Sequence, residues 1–212
     1  MHKEISYAGA AAEEAGFTIE SVYMGGGTPT TLTAMQLDGL LCRIKDAFEL
    51  KHNREFTVEA GRPDTITEDR LRVLREHGIG RISINPQSMK DKTLELIGRR
   101  HSVADVYRAF ELAGKTGFDV INTDLIAGLP EEDEKDFAHS LEEVLRLGAT
   151  NVTLHTLAVK RASRLKEMDE LFNYRDEELR ERMLASAHQT LRDEGFEPYY
   201  LYRQKHTSGN TE

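Results

Sequence analysis

Cysteine is nearly missing from this chain: 212 residues hold one, Cys42. A single thiol makes no disulfide within a chain. Nor can it supply the three thiolates of an open iron–sulfur site. Cys42 stands beside Leu40, Leu41 and Ile44 in a helical pattern, where it reads as a small buried hydrophobe. Basic residues are outnumbered, 28 Lys and Arg against 37 Asp and Glu, for a net charge of −9. That balance weighs against nucleic acid as a partner. No apolar run approaches the ~20 residues of a membrane span, and the N-terminal stretch has no apolar signal core. No membrane partner is therefore expected, and the cytoplasm is the expected location. The eight histidines show neither H-x-H nor H-E-x-x-H spacing. No linker or low-complexity segment interrupts the chain. With 39% hydrophobic and 31% charged residues, the composition is that of an ordinary globular protein of one domain or two small ones.

What is present is a series of strand–helix units. The β-rich runs are Glu20–Met24, Glu55–Ala60, Gly80–Asn85, Asp119–Ile126, Asn151–Leu157 and Tyr199–Tyr202. Helical patterns lie between them. The N-terminus begins in one, and Leu37, Leu40, Leu41, Ile44 and Phe48 repeat at helical spacing behind a Thr33–Gln36 capping box. Gly78, Gly117, Gly148 and Gly195 stand where four helices should stop. Successive βα units predict an α/β fold with a parallel sheet. Periodicity leaves open whether the sheet is doubly wound or a (β/α) barrel.

In such folds ligands gather at the C-terminal ends of strands, and the unusual residues lie there. Gly25-Gly26-Gly27-Thr28-Pro29-Thr30 follows the first strand. Consecutive glycines let backbone approach a ligand closely. The stretch is not a P-loop, since no Gly-Lys-Ser/Thr follows, and not a G-x-G-x-x-G dinucleotide motif, since position 30 is Thr30. Glu59 and Asp124 are acids within apolar strands, where an ionised carboxylate needs a partner. Each either caps a loop, pairs with an arginine, or accepts hydrogen bonds from a ligand's amino or hydroxyl groups. Gln87 follows the third strand. Arg99-Arg100 follow Gly98, and a guanidinium is the best bidentate partner for a carboxylate. His155 fits a core, a ligand contact or a general acid. The acidic run Glu131–Glu134 suits a helix N-terminus, where the dipole favours acids.

Together these residues resemble a family. Tyr23-Met24-Gly25-Gly26-Gly27-Thr28-Pro29-Thr30 is similar to the glycine motif of radical S-adenosylmethionine enzymes of the oxygen-independent coproporphyrinogen III oxidase group. Thr57-Val58-Glu59-Ala60, Arg81-Ile82-Ser83-Ile84-Asn85-Pro86-Gln87-Ser88, Gly98-Arg99-Arg100-His101 and Asn122-Thr123-Asp124-Leu125-Ile126-Ala127-Gly128-Leu129-Pro130 resemble its later segments, in order. The resemblance covers about Ser21 to Ala158. Asn85-Pro86 departs from the oxidase's common Gly-Val, and the C-terminal Pro198–Lys205 stretch resembles a coproporphyrinogen dehydrogenase-like subgroup more than the haem chaperones.

The resemblance implies a partial (β/α) barrel of the radical type, lacking the first strand and its C-x-x-x-C-x-x-C loop. It implies an incomplete core barrel over residues 1–196, followed by the start of a C-terminal extension over 197–212. The chain would then be truncated at both ends, with the cluster cysteines upstream. The implied cofactors are S-adenosylmethionine and, in the full-length parent, a [4Fe–4S] cluster. By resemblance Gly25, Gly26, Gly27 and Thr28 contact the cofactor's methionine part, and Arg99 pairs with its carboxylate. Gln87 and Asp124 hold the ribose side, Ala158 lies by the adenine, and Glu59 lines the site. No catalytic residue is assigned. The implied function is oxidative decarboxylation of coproporphyrinogen III in haem biosynthesis, with a tetrapyrrole substrate and an electron donor such as flavodoxin or ferredoxin. This chain alone would be inactive for want of thiolates. The alternatives are a non-catalytic, haem-handling relative and a radical enzyme with another substrate.

Overall fold

A computed structural model describes residues 1–157 and 177–199. Twelve elements follow one another there: α1 (His2–Glu14), β1 (Ser21–Met24), α2 (Ala34–Ala47), β2 (Glu55–Gly61), α3 (Glu68–Glu76), β3 (Arg81–Ile84), α4 (Asp91–Leu96), α5 (Val103–Thr116), β4 (Val120–Ala127), α6 (Glu134–Arg146), β5 (Asn151–Thr156) and α7 (Glu177–Asp193). The five strand candidates up to Leu157 are all found, with no bound shifted by more than one residue. The sixth lies outside the described residues apart from Tyr199, which belongs to no element.

The local signals act as their chemistry requires. The Thr33 hydroxyl accepts the Gln36 N–H while the Gln36 side chain accepts the Thr33 N–H, closing the capping box that starts α2. Gly78, Gly117, Gly148 and Gly195 all take positive φ just past a helix, a backbone conformation that a side chain would strain.

The strands form one sheet in the order β1-β2-β3-β4-β5. Each strand lies beside its predecessor, with no reversal of direction. A doubly wound sheet must reverse at a switch point. Right-handed crossovers that always step the same way put every helix on one face. The winding is therefore that of a partial (β/α) barrel, which settles the alternative left open by periodicity.

The chain divides into two compact units, Met1–Asn85 with Val106–Asn122, and Pro86–Asp105 with Thr123 onward. In the first unit the strands run parallel in register: Tyr23 opposite Thr57, Thr57 opposite Arg81, Arg81 opposite Val120, and then Glu59 opposite Ser83 and Ser83 opposite Asn122. Paired residues share a face. One face thus carries the mostly polar set Tyr23, Thr57, Glu59, Arg81, Ser83, Val120 and Asn122. The other carries Phe56, Val58, Ala60, Ile82 and Ile84, all buried, as are Leu37 and Leu41 of α2 and Leu71 and Leu74 of α3. Each such leucine contributes roughly 1.5–3 kcal/mol through burial. Glu59 therefore belongs to a polar face and does not interrupt an apolar strand.

In the second unit the core draws on Leu94 of α4, Leu125 and Ala127 of β4, and Phe137, Leu141 and Val144 of α6, with Met183 and Ala187 of α7. β4 alternates strictly, with Ile121, Thr123, Leu125 and Ala127 buried and Asn122, Asp124 and Ile126 partly open.

Cys42 departs from expectation: it is exposed. The buried stripe of α2 is Leu37, Leu40 and Leu41. One further residue turns the helix by about 100°, which carries Cys42 off the stripe to the solvent side.

Candidate functional site

In the first unit the glycine loop joins β1 to a short 3-10 turn, Pro29–Thr31. Its far end is anchored from within. Thr30 is fully buried, and its hydroxyl lies 3.0 Å from the Ala60 carbonyl as donor and 2.6 Å from the Thr65 hydroxyl. The loop is thereby fixed to the C-terminal end of β2.

The three glycines have different reasons to be glycine. A side chain at Gly25 would run into the Tyr23 ring and the Glu59 carboxylate. Gly26 has φ +97, a conformation that favours glycine. Gly27 has neither constraint: φ is ordinary, and no described atom lies within 4 Å of where a β-carbon would be. All three are exposed, while Thr28 is half-buried. Beside them the Tyr23 hydroxyl donates to Glu59 Oε2 at 3.3 Å. Glu59 is half-buried.

In the second unit, backbone bonds bring together residues distant in sequence. Gln87 is buried and holds φ +71, a backbone rarely taken by a residue with a side chain. Two hydrogen bonds hold it there. Its N–H donates to the Asp124 carbonyl at 3.1 Å, and its carbonyl accepts the Ile126 N–H at 3.0 Å. Gln87 is thus a one-residue extension of the sheet alongside β4, bridged to Leu125. The Asp124 carboxylate lies 3.7 Å from His155 Nε2 on β5, both side chains about one-fifth to one-quarter exposed (21% and 24%). His155 is therefore paired with an acid.

Arg99 is exposed, in the loop after α4, with its N–H donated to the Leu94 carbonyl at 2.8 Å. The loop is fastened by a residue whose role the sequence did not reveal. His101 is 3% exposed, and its Nε2 lies 3.1 Å from the Pro86 carbonyl. Pro86 precedes Gln87, so one imidazole links the Arg99 loop to the segment that holds Gln87. Ala158 lies outside the described residues.

A second set of tethers fixes the segment after Gln87. The Ser88 hydroxyl donates to Glu132 Oε1, the Met89 N–H donates to Ser140 Oγ at 2.9 Å, and Lys90 Nζ donates to the Glu131 carbonyl and Asp136 Oδ2, each at 2.7 Å. The acidic run is thus less uniform than expected. Asp133 caps α6 through a box with Asp136, whereas Glu132 is 7% exposed. Burial pushes the Glu132 carboxyl above its ordinary value, and the Ser88 and Thr93 hydroxyls offset part of that rise. The Asp136 carboxylate raises the Lys90 ammonium.

A singly wound parallel sheet with a bare glycine loop after its first strand defines a βα-barrel protein, a fold in which ligands gather at the strand ends. More narrowly, residues 3–144 match the family model of the radical SAM superfamily, and the chain belongs to that family. The family uses S-adenosylmethionine and a [4Fe–4S] cluster.

The chain is similar to the oxygen-independent coproporphyrinogen-III oxidase-like protein HemZ of Bacillus subtilis, 43% identical over 213 residues, which is all of this chain and 42% of that protein. It is also similar to the heme chaperone HemW of Bacillus subtilis, 37% identical over 143 residues, or 67% of this chain and 38% of that one. It spans less than half the length of these relatives. Among solved structures, coproporphyrinogen III oxidase (HemN) from Escherichia coli shares the fold, with a TM-score of 0.81 and 24% identity over 92% of this chain and 45% of that one.

A second family model, described as an AAA domain, matches residues 88–209. A phosphate-binding loop ends in Gly-Lys-Ser/Thr and opens a helix. The chain's Gly114-Lys115-Thr116 instead closes one, as the end of α5. Lys115 pairs with Glu111, and the Thr116 hydroxyl donates to the Leu112 carbonyl. These residues form no phosphate cradle.

Proposed function

We propose that the chain is the S-adenosylmethionine-holding part of a radical oxidoreductase acting on a tetrapyrrole. One observation carries the reading: Gly27, third of three glycines at a strand end, is a glycine that the atoms of the described residues do not require. A ligand lying against the loop explains it, because the β-carbon would then occupy the ligand's place. The cofactor's two ends call for different partners, and the residues assigned by resemblance differ accordingly. Gly25, Gly26, Gly27 and Thr28 present backbone to the amino and carboxylate end, with Glu59 beside them. In the second unit Gln87 and Asp124, joined by a backbone hydrogen bond, accept hydrogen bonds from ribose hydroxyls. Arg99 carries the charge that matches a carboxylate. Ala158 is assigned to the adenine by resemblance. Residues 1–196 make up the core barrel part and 197–212 the start of the extension.

These residues fit S-adenosylmethionine, but the cluster finds no ligand set here. The only thiol, Cys42, sits exposed on α2, and three thiolates must come from outside these 212 residues. When bound, cofactor and cluster supply one-electron oxidation of the substrate. The residues of this chain orient the cofactor and exclude water. The similarity to HemZ favours oxidative decarboxylation of coproporphyrinogen III, with a small electron-transfer protein as donor. No helix among the described residues is long and apolar enough to cross a membrane, and we place the protein in the cytoplasm. The similarity to HemW favours a second reading, haem handling without turnover.

Two measurements separate them. The full-length protein with its cluster reconstituted, given S-adenosylmethionine, a reductant and coproporphyrinogen III, is expected to release carbon dioxide. Stoichiometric haem binding without carbon dioxide release selects the second reading. Absence of S-adenosylmethionine binding in that protein by calorimetry overturns both.

A further inference from the structure

α2 and α3 pack side by side in the first unit, and three side chains converge between them, away from the sheet's polar face. Asp38 and Cys42 are four residues apart on α2, so they project from the same side. His77 caps the C-terminus of α3, where Gly78, at φ +79, turns the chain. His77 Nε2 lies 2.8 Å from Asp38 Oδ1. One ligand atom from each of Asp38, Cys42 and His77 lies within 4.8 Å of the other two. The imidazole is only 10% exposed, so its place is fixed by packing, whereas Asp38 is 55% exposed and open to solvent.

We infer that Asp38, Cys42 and His77 form a binding site for a zinc-like divalent cation that clamps α2 to α3. Thiolate, imidazole and carboxylate are the three donor types that zinc accepts, while magnesium and calcium take oxygen alone. In a tetrahedral zinc site the ligand atoms stand about 3.3–3.8 Å apart, given metal–ligand bonds of about 2.0–2.3 Å. Rotation of the exposed Asp38 and Cys42 side chains is what would close the present limit of 4.8 Å. Three protein ligands leave a fourth position for water. An Asp–His pair alone accounts for two of the residues and leaves the exposed thiol beside them without a role.

The site is a moderate binder. His77 Nδ1 is buried and has no hydrogen-bond partner among the described residues. Metal at Nε2 places the ring proton on Nδ1, without the acceptor that metal-bound histidines normally have, which lowers affinity by about 10–100-fold. Such a site fills and empties with the supply of metal, and occupancy stabilises the folded unit by mass action.

Cobalt is the probe, added to the reduced, metal-free chain under anaerobic conditions. One equivalent is expected to give a thiolate-to-cobalt band in the near ultraviolet and tetrahedral ligand-field bands in the visible, both abolished by zinc. Cys42→Ser removes the near-ultraviolet band, and His77→Gln and Asp38→Asn each weaken binding by tenfold or more. Zinc raises the Tm of the parent chain and leaves that of Cys42→Ser unchanged. A folded parent chain with no thiolate band overturns the inference. So does a band of undiminished affinity in both His77→Gln and Asp38→Asn, which leaves a thiol binding metal unaided. Neither outcome bears on cofactor binding at the polar face.

Discussion

The glycine loop of the first unit and the Gln87–Arg99–Asp124 region of the second are built on opposite plans. The loop is shaped by removal: three residues without side chains, exposed, anchored at the far end by Thr30. The second region is shaped by attachment. Gln87 is bonded on both sides to β4, Pro86 is held by His101, and Ser88, Met89 and Lys90 are tied to the segment 131–140. A loop that must let a ligand touch backbone loses by every added atom. A region that must aim side chains needs its backbone held still, because a displacement of about 1 Å can cost 100-fold in a positioned reaction. If the comparison is sound, substitutions in the second region strike stability first, and substitutions in the loop strike binding first.

The largest expected effect is at His101. His101→Ala removes a buried hydrogen bond and leaves a cavity, which together cost about 2–4 kcal/mol. Urea denaturation of the chain measures it. S-adenosylmethionine affinity should fall as well, because the Arg99 loop loses its link to Pro86. A variant with unchanged stability breaks the account of the tether.

Gly26→Ala comes next. A β-carbon at φ +97 is strained by about 1–2 kcal/mol, read from the same denaturation curves. It sharpens the comparison, since here the loop does carry a structural requirement, at one residue of three.

The third effect depends on pH. The Glu132 carboxyl is raised above 4.5 by burial, so the folded protein holds this proton more tightly than the unfolded chain. Its contribution to stability is complete below pH 4.5 and is lost as pH rises from there through the raised folded value. Glu132→Gln keeps a neutral hydrogen-bonding group, so it should flatten that part of the stability–pH curve. A wild-type curve that rises with pH after subtraction of the Glu132→Gln curve contradicts the assignment.

What the sequence disclosed follows the range over which each signal acts. The five strands, the Thr33–Gln36 box and the four helix-ending glycines are local matters of propensity and backbone freedom, and a short window contains them. α4 passed unnoticed because six residues show too little periodicity. Cys42 is exposed beside buried Leu40 and Leu41 because neighbours in sequence are not neighbours on a helix face. The candidate residues were legible as chemical types at strand ends, but what holds them was not. The Gln87 bridge to β4, the bond from His101 to Pro86 and the seat of Glu132 join segments tens of residues apart, and no spacing rule foretells such a pairing. Choice of winding needed the strand order itself.

The smallest effect on stability is the one that tests the comparison most directly. Gly27→Ala introduces a methyl group where no described residue lies within 4 Å and with no backbone strain, so the folding free energy should move by no more than about 0.5 kcal/mol. Two glycines away, Gly25→Ala meets the Tyr23 ring and the Glu59 carboxylate and must displace them. The protein's own packing thus explains Gly25 and is silent on Gly27. If a cofactor lies against the loop, the added methyl takes the cofactor's place, and affinity for S-adenosylmethionine in the cluster-reconstituted full-length protein should drop roughly tenfold or more, equivalent to about 1.4 kcal/mol. A stable Gly27→Ala protein with unchanged affinity would leave the third glycine unexplained and remove the observation on which the binding proposal rests.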